Sequence, residues 1–574
     1  MKFLHSWRMV VTSFVALSAL LVALCFQGID LADEGFWLTN AKFALSKPES
    51  IFYSFSYYFS VLTTSIWGRY VSDTLLSYRI LGSLVRIGTI FACICCLYRV
   101  IEPLSLSVGV ILGTLLSCGS LCFLYGSSYT GFFYVLSIIA IVKGMEPFAM
   151  TMRTWRSAVW LAIGGFFMGA SVYVRVPNIT SIAFFLVPLA GLFFHRQLFL
   201  GNVLFCILSV CVGWVLGFAV LTAIVLVIGH MEYFCAMLEM LRGIAKSGHH
   251  SMGILIAAQL KYYVRALLWG GFSLISLLCC GKLLQCMQSK FRQSYSPVIT
   301  GATHLLFTLC IVALCLRGSM SRVGSMMSVG LFLLAGVAEI FIFKQHANIK
   351  LIWFAGLILF GIAPLGSDCP VDANRYVLPF VMPLCVGALM KRNSLIGGER
   401  LVKCLIFALV ISVSIYVWRG AARDEPDRTR LTCSVDVPEY CGMFTTSERA
   451  RAIEDVVRNV RRLVADVETL LVFPHSQGLY ACVDRPPFLE CASSNLYDTN
   501  TWDAAIERAW ARYRGRLPLV VEEKWATGYS AWPRVRIPYI SKESPYYKKF
   551  AEFLQKNGYA LVWENEDFKV WKVK

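Results

Sequence analysis

Long uninterrupted runs of apolar residues recur along the first three quarters of this 574-residue chain. A helix needs about 20 predominantly apolar residues to cross the hydrocarbon core of a bilayer. The strands of a membrane barrel would instead give segments of about ten residues with alternating polarity. The pattern therefore predicts an α-helical polytopic membrane protein with about thirteen transmembrane helices, at residues 9–26, 80–98, 104–121, 129–143, 157–174, 180–194, 202–228, 264–281, 297–316, 324–343, 350–365, 376–390 and 402–418.

Two more polar segments interrupt this series. Residues 230–261 are amphipathic and predict an exterior segment, which we interpret as a mobile lid over a functional site. Residues 27–78 are rich in aromatic side chains and predict short helices that lie on the outer membrane surface. Tyrosine and tryptophan favour the membrane–water interface. The aromatic residues suited to that position are Tyr53, Phe55, Tyr57, Tyr58 and Trp67.

The pattern changes after residue 418, where charged residues become dense and the apolar runs shorten. Residues Thr445 to Glu448 have the sequence of a helix capping box, and apolar residues recur at helical spacing from Ile453 to Val467. Because strands that alternate with helices indicate an α/β domain, we divide the chain into a membrane domain and an exterior α/β domain, at 1–418 and 419–574. The other elements predicted in the second domain are a helix at 545–557 and strands at 469–474, 518–523, YALVWE and FKVWKV.

Basic residues mark one side of the membrane domain. Residues 1–418 hold 29 Lys and Arg against 13 Asp and Glu, whereas residues 419–574 hold 24 against 22. The excess lies in alternate short loops, which is the arrangement that places such loops in the cytoplasm. The net charge of +18 therefore reports orientation and gives no reason to expect nucleic acid as a partner. With a cytoplasmic N-terminus and an odd number of spans, the C-terminal domain lies outside.

Most of the 21 cysteines fall within apolar runs, where cysteine behaves as a small apolar residue. Four of them, Cys433, Cys441, Cys482 and Cys491, fall in the C-terminal domain. An even number of cysteines in an oxidising compartment predicts disulfides. The simplest of the connectivities open to these four is Cys433–Cys441 with Cys482–Cys491.

The segment LADEGFWLTN (31–40) stands at the outer end of the first apolar run. Asp30, Asp33 and Glu34 are three of only 13 acidic residues in the membrane domain. One explanation is that these carboxylates are simply solvated and that Trp37 anchors the helix at the interface. The scarcity of acids elsewhere, and the apolar and aromatic residues around these three, favour a functional role.

An Asp-Glu pair that opens the first exterior loop, followed by an aromatic surface segment and an arginine at the next span, resembles the GT-C superfamily of membrane glycosyltransferases. Protein O-mannosyltransferases and lipid A aminoarabinose transferases are the similar families. DEGFWLTNAKFAL (33–45) matches their acidic first-loop motif, and SYRILGSLVR (77–86) matches their second-span entry. APLGSDCPVDANRYVLPFVMP (363–383) is similar to a late exterior loop of bacterial members.

The resemblance implies a glycosyltransferase of the bacterial inner membrane with a periplasmic C-terminal domain. It implies transfer of a hexose or pentose from a polyprenyl-phosphate donor to a lipid, glycan or protein acceptor on the outer face. It assigns the general base to Asp33, with Glu34 as its neighbour. A carboxylate at the membrane surface can take the acceptor's proton as an oxocarbenium-like centre develops at the sugar.

Cations should hold the phosphate of such a donor. Arg79 and Arg86 share one helix face, and Arg86 lies within a predicted span, where a charge marks a functional site by default. The alternatives are that Arg79 reaches to the interface and that Arg86 pairs within the helix bundle. The arginines predicted as phosphate ligands are Arg69, Arg79, Arg86, Arg175 and Arg375, and the further site candidates are Asp30, Asp368, Asp372, His249 and His250.

The sequence indicates no cofactor and no metal site. His249 and His250 lack a third ligand at a recognisable spacing. Several GT-C members carry an acidic residue in the second exterior loop, sometimes used with a divalent cation, but YGSSYTG (125–131) has none. The site is therefore expected to be metal-independent, or Asp368 takes that role.

Two other functional classes remain open beside the enzyme, with membrane lipids as neighbours in each case. A flippase or exporter of a lipid-linked glycan would show internal repeats and place its charges near the bilayer midplane. The sequence shows no repeat, and its acidic cluster lies at a predicted outer rim. The third class is an inactive relative that only binds lipid-linked sugars.

Overall fold

The computed structural model describes residues 2–118, 126–150, 153–246, 252–291, 320–365, 375–396, 399–419, 423–464, 467–497, 499 and 501–574. Helices make up most of the described chain as far as residue 419. They are α1 (Lys2–Ala23), α2 (Asp33–Phe43), α3 (Tyr58–Tyr70), α4 (Leu75–Leu97), α5 (Pro103–Ser117), α6 (Gly126–Met145), α7 (Trp155–Val174), α8 (Leu186–Phe194), α9 (Leu200–Ile228), α10 (Met231–Lys246), α11 (Met252–Phe291), α12 (Met320–Val337), α13 (Ala347–Ile362), α14 (Leu378–Lys391) and α15 (Glu399–Arg419).

Six described segments are long and apolar enough to cross a membrane, so the chain is an integral membrane protein. Twelve of the thirteen predicted spans coincide with described helices, and the remaining one, 297–316, lies outside the described residues. The number of spans and their orientation stay predictions. The six segments are Trp7–Phe26, Leu75–Leu97, Ser128–Ala149, Trp155–Val174, Val176–Phe194 and Leu200–Ile228, and shorter apolar helices occur at Pro103–Ser117, Val329–Ile342, Ala347–Ile362 and Val402–Trp418.

Helices α7 and α9 pack through glycines spaced four residues apart. A Cβ atom added at Gly213 would lie 1.8 Å from the carbonyl oxygen of Ala162, and one at Gly169 would lie 2.0 Å from that of Trp214. Small residues at such positions let two backbones approach closely, and this close packing drives helix association in lipid.

The aromatic segment forms the short helices that the sequence predicts, but it is covered by protein. Phe55 and Tyr58 are each 1% exposed, and His230 stacks on the Phe55 ring at 5.1 Å between centroids. Helix α10 packs against this segment, which explains why these rings are not at the lipid interface as predicted. Trp37, considered as an anchor, is also buried and contacts the Tyr57 ring edge-on at 5.3 Å.

Beyond residue 419 the described chain forms a mixed sheet of four strands. Their order in the sheet is β3 (Leu470–Phe473), β4 (Leu519–Glu523), β6 (Phe568–Val573) and β5 (Tyr559–Glu564). Strands β3 and β4 are parallel, and β6 runs antiparallel to both of its neighbours. The predicted α/β character is therefore confirmed. The elements are β1 (Cys433–Ser434), β2 (Phe444–Thr445), α16 (Ser447–Leu463), β3 (Leu470–Phe473), α17 (Gly478–Cys482), α18 (Trp502–Arg512), β4 (Leu519–Glu523), α19 (Pro545–Lys556), β5 (Tyr559–Glu564) and β6 (Phe568–Val573).

Helix α16 begins one residue later than the predicted capping box requires. The side chain of Thr446 caps it by accepting a hydrogen bond from the Arg449 backbone N–H at 3.2 Å. Arg449, and not Glu448, therefore occupies the third helical position, and the reciprocal half of a capping box is missing.

The disulfide prediction is wrong, because Cys433, Cys441, Cys482 and Cys491 are all free. Alternate residues of β3 face opposite cores: Leu470 and Val472 pack in one and Leu471 and Phe473 in the other. Cys482 belongs to the first core and Cys491 to the second. Burial on the two sides of the sheet separates these thiols.

Candidate active site

The three acidic residues of the N-terminal motif lie in one short loop, residues 28–34, which we name the acid loop. It joins α1 to α2. Asp30 is 1% exposed and accepts hydrogen bonds from the backbone N–H groups of Ala32, Asp33 and Glu34 at 2.9, 3.2 and 3.4 Å. A carboxylate at this position accepts hydrogen bonds from N–H groups that have no partner within the helix. Its negative charge also interacts favourably with the positive N-terminal end of the helix dipole. Asp30 therefore shapes the loop.

Glu34 forms a buried ion pair with Arg79 at the start of α4, and both side chains are at most 2% exposed. Arg79 Nε donates to Glu34 Oε1 at 2.9 Å, and Arg79 Nη2 donates to Glu34 Oε2. The guanidinium also donates to the carbonyls of Cys25, Gln27 and Gly28 at 2.9, 3.0 and 2.8 Å. These bonds engage all five N–H groups of the arginine and tie the end of α1 to α4.

Residues from the C-terminal part of the chain hold the other side of the acid loop. Asp424 is fully buried and accepts from the backbone N–H of Ile29 and from the hydroxyl of Thr445, both at 2.7 Å. Arg449 pairs with Asp424 at 3.3 Å and donates to the carbonyls of Ile29 and Arg423 at 2.6 Å. The loop is thus held both by residues near the start of the chain and by residues beyond position 419.

Helix α2 is in backbone contact with α17. The N–H of Gly478 donates to the carbonyl of Leu31 at 2.8 Å, and Thr39 Oγ1 donates to the carbonyl of Gln477 at 2.8 Å. A Cβ at Gly35 would lie 2.3 Å from the Gly478 nitrogen, so only glycine at position 35 permits this approach.

Asp33 differs from the other two acids because its side chain is 29% exposed. Arg423 Nη2 lies 2.6 Å from Asp33 Oδ2, and His475 Nε2 lies 3.8 Å from Asp33 Oδ1. Arg423 itself is 40% exposed, and its Nη1 is 3.9 Å from Asp30 Oδ2. An accessible carboxylate with a cation and an imidazole beside it can accept a proton from a bound hydroxyl group.

His475 follows directly after β3 and Pro474, and its side chain is 13% exposed. Burial lowers the pKa of His475 to about 4, and this outweighs the nearby Asp33 carboxylate, which acts to raise it. The imidazole is therefore neutral near pH 7 and has one N–H donor and one acceptor nitrogen. Its ring stacks on Tyr539 with centroids 4.6 Å apart.

A further buried acid, Glu523, lies at the end of β4. It accepts from the hydroxyl of Ser476, from the Thr527 hydroxyl at 3.2 Å and from the Thr527 N–H at 3.4 Å. Burial raises the pKa of Glu523 to about 7, and the negative charge of Asp30 acts in the same direction. Burial also raises the pKa of Asp30 to about 7, against the opposing effect of Arg423.

We expect Glu523→Gln to change how stability depends on pH. The carboxyl keeps its proton in the folded protein up to about pH 7 but loses it near pH 4.5 in the unfolded chain. The folded state therefore loses stability as pH rises from about 4.5 to about 7, by up to about 3 kcal/mol for a pKa difference of this size.

The measurement is the thermal midpoint of both proteins in detergent at pH 5, 6, 7 and 8. Glutamine has nearly the same shape and does not titrate, and the bond that its NH2 group cannot accept is lost equally at every pH. The wild-type midpoint should therefore fall relative to that of the variant as pH rises. His475 titrates in both proteins and cancels in the comparison, whereas the interaction between Asp30 and Glu523 is part of the difference that is measured. A difference that stays constant over this range would contradict the expectation.

The arginines predicted to bind phosphate lie in different environments. Arg79 is bonded to Glu34 and to three carbonyl groups, and these bonds argue against a role in phosphate binding. We therefore assign no phosphate-binding role to Arg79. Arg69 is exposed at the end of α3 beside Tyr70. Arg175 is 6% exposed and donates to the Ala363 carbonyl at 3.3 Å, and Arg375 is also 6% exposed.

Arg86 belongs to a group of buried cations that also includes Arg79 and Arg428. Its Nη1 is 3.9 Å from Cys118 Sγ, and its guanidinium lies 5.4 Å from the centre of the Tyr376 ring. The charge of Arg428 also reaches Cys118. Arg428 is 2% exposed, and burial, together with the charge of Arg79, lowers its pKa to about 10. An anion bound among these arginines would relieve their repulsion.

The remaining candidate residues lie outside the described part of the chain. These are Asp368, Asp372, His249 and His250. Their proposed roles, and the interpretation of residues 230–261 as a lid, stay predictions.

The residues that complete the site were not identified from sequence. Arg423, Arg428 and His475 come about 400 residues after the acid loop, and Glu523 comes later still. One weak signal exists: Arg423 and Arg428 lie within ten residues of the predicted end of the last span, on the same outer side as the acid loop.

No protein-family model matches the chain, and a search of curated proteins finds no match. Among solved structures, the chain is similar to ArnT from Cupriavidus metallidurans bound to undecaprenyl phosphate. The two sequences are 10% identical, the match covers 98% of this chain and 97% of that chain, and the TM-score is 0.49. The apo state of the same protein matches with a TM-score of 0.41, at 10% identity and the same coverage.

The oligosaccharyltransferase of Archaeoglobus fulgidus in its apo form is similar at 12% identity, with a TM-score of 0.48 and coverage of 97% of this chain and 80% of that chain. The retrieved proteins are GT-C enzymes, the group that the sequence resembles. With TM-scores below 0.5, these likenesses assign no residue, ligand or reaction to this chain.

Proposed function

We propose that this protein is a membrane glycosyltransferase that moves a sugar from a polyprenyl-phosphate donor to an acceptor on the outer face of the membrane. The observation that carries the proposal is the difference in exposure among the three acidic residues of the acid loop. Asp30 and Glu34 are buried and bonded to the helices around them, whereas Asp33 presents an accessible carboxylate. The motifs that resemble GT-C enzymes give the donor class.

Asp33 serves as the general base in this proposal. It takes the proton of the acceptor hydroxyl while the bond from the anomeric carbon to the donor's phosphate breaks and the bond to the acceptor oxygen forms. Arg423 fixes the direction of the carboxylate through its 2.6 Å contact. The base lies just beyond the outer end of α1, at a depth that a sugar attached to a membrane lipid can reach.

Arg86 and Arg428 hold the donor's phosphate in this proposal. The phosphate leaves as a lipid-linked monoester anion, and cations beside it stabilise the charge that develops on the leaving oxygen. Arg79 already forms an ion pair with Glu34, so the proposal does not assign it to the phosphate.

The test is turnover of undecaprenyl-phosphate monosaccharides by the full-length protein in lipid nanodiscs, in the presence of a panel of lipid, glycan and peptide acceptors. We expect the wild type to release undecaprenyl phosphate from at least one donor of a panel of hexoses and pentoses. Arg428→Gln should raise the KM for that donor by about 10- to 100-fold with a smaller change in kcat, since a hydrogen bond to a charged group contributes about 1.5–3 kcal/mol.

Arg428→Lys should recover part of the affinity, because lysine keeps the charge but not the planar fork. Arg69→Gln, at an exposed arginine, is the matched control and should leave the KM unchanged. Failure of the wild type on every donor would refute the proposed function. Normal donor KM in Arg428→Gln would remove only the phosphate assignment.

A further inference from the structure

One aromatic ring next to Asp33 has no role in the reaction described above. Tyr539 is 41% exposed, and its hydroxyl accepts a hydrogen bond from Asn495 Nδ2 at 2.8 Å. One side of the ring is covered by His475, with the planes 20° from parallel. The ring is therefore fixed in direction and accessible.

The loop that carries Tyr539 is fastened to the rest of the protein. The N–H of Ala526 donates to the carbonyl of Ile537, two residues before Tyr539, at 2.7 Å. Arg534 pairs with Glu425 at 3.0 Å, and Arg536 pairs with Asp567 at 2.9 Å. An exposed ring on a fastened loop loses little conformational entropy when a ligand binds to it.

Tyr539 is close to the base. His475, on which it stacks, lies 3.8 Å from the Asp33 carboxylate. The charges of Asp33 and Arg423 both act on the Tyr539 hydroxyl. Any group that rests on the exposed part of the ring is thus near the atom that takes the acceptor's proton.

We propose that Tyr539 and His475 form the acceptor-binding platform of the enzyme, and that the acceptor carries a sugar ring that stacks on Tyr539. This inference rests on the proposed function. The apolar C–H face of a sugar matches the face of an aromatic ring, and its hydroxyl groups match the polar neighbours His475, Asn495 and Arg423. The platform belongs to the C-terminal domain, whereas the donor's sugar is attached to the lipid on the membrane side.

His475 acts as a positioning residue within this platform. Its neutral imidazole offers one N–H donor to an acceptor hydroxyl without competing with Asp33 for the proton. A charged histidine at this place would pair with Asp33 and weaken it as a base.

The experiment compares two acceptors with the donor that the wild type turns over. One is a lipopolysaccharide core oligosaccharide and the other is a peptide rich in serine and threonine, both added to full-length protein in nanodiscs. We expect transfer to the oligosaccharide. Tyr539→Ala should raise its KM about tenfold, which corresponds to the loss of one aromatic stacking contact, with the KM for the donor unchanged.

Tyr539→Phe keeps the ring, so its KM for the oligosaccharide should stay within about threefold of the wild-type value. This comparison distinguishes loss of stacking from loss of the folded structure. Tyr529→Ala is the matched control, because Tyr529 is an exposed tyrosine (47%) on the same loop. Transfer to the peptide alone, an unchanged oligosaccharide KM in Tyr539→Ala, or a rise in donor KM only would each overturn the platform. In all three cases the wild type still turns over donor, so the proposed function stands.

Discussion

Asp33→Asn is expected to lower the rate of sugar transfer by about 10²- to 10⁴-fold, the range that removal of a general base usually produces. Asparagine has the same shape as aspartate but cannot take a proton at neutral pH. The side chain is 29% exposed and its partner Arg423 is 40% exposed, so loss of the ion pair should cost at most about 1 kcal/mol of stability. The rate of transfer should therefore fall strongly while the thermal midpoint changes little.

The measurement is release of undecaprenyl phosphate under saturating donor and acceptor, with the thermal midpoint recorded on the same preparation. Asp503→Asn is a matched control, because Asp503 forms an ion pair of the same length, 2.6 Å, with Lys549. That control should keep its full rate. An Asp33→Asn protein that turns over at close to the wild-type rate would remove Asp33 as the base.

Arg79→Ala should destabilise the protein by about 3–5 kcal/mol, the usual cost of breaking a buried ion pair from one side. The change leaves the Glu34 carboxylate buried without its partner and removes the donor from three carbonyl groups at the end of α1. We expect a large fall in the thermal midpoint in detergent and a low yield of folded protein.

Two further variants distinguish the structural role of Arg79 from a role in phosphate binding. Arg79→Lys should recover only part of the stability, because one ammonium group cannot satisfy both carboxylate oxygens and three carbonyls. The double change of Arg79→Met with Glu34→Leu should be less destabilising than Arg79→Ala, since no unpaired charge remains. A stable Arg79→Ala protein with a raised donor KM would instead return Arg79 to the donor site.

The helices and strands were largely predictable because each follows from a local pattern. Continuous apolar runs gave α4, α7 and α9, and short apolar runs between turn residues gave β3 and β4. The acid loop was also predictable, since three clustered carboxylates in an apolar chain are unusual. The N-cap of α16 was misplaced by one residue because Thr445 and Thr446 both suit an N-cap and only the backbone path decides between them.

Pairings across the chain were not predictable. The sequence predicted a catalytic role for Glu34 and a phosphate-binding role for Arg79, because a charge near a membrane helix has either a functional or a structural partner and the sequence does not show which. Arg423 and His475 reach Asp33 only after the C-terminal domain has docked on α2 through Gly35 and Gly478. The disulfide prediction failed for a related reason: nearness in sequence does not show on which side of a sheet each thiol is buried.

Because residues from the C-terminal part of the chain contact the acid loop, the proposed site can form only late in the synthesis of the protein. Ile29 and its partner Asp424 are 395 residues apart, which at about 5–20 residues per second takes a ribosome about 20–80 s to synthesise. During that time the acid loop has already left the translation machinery, but Arg423 and His475 do not yet exist. Under the proposed function, a molecule can transfer sugar only after residue 475 has been synthesised, and a truncated product that ends before Arg423 lacks two residues of the proposed site.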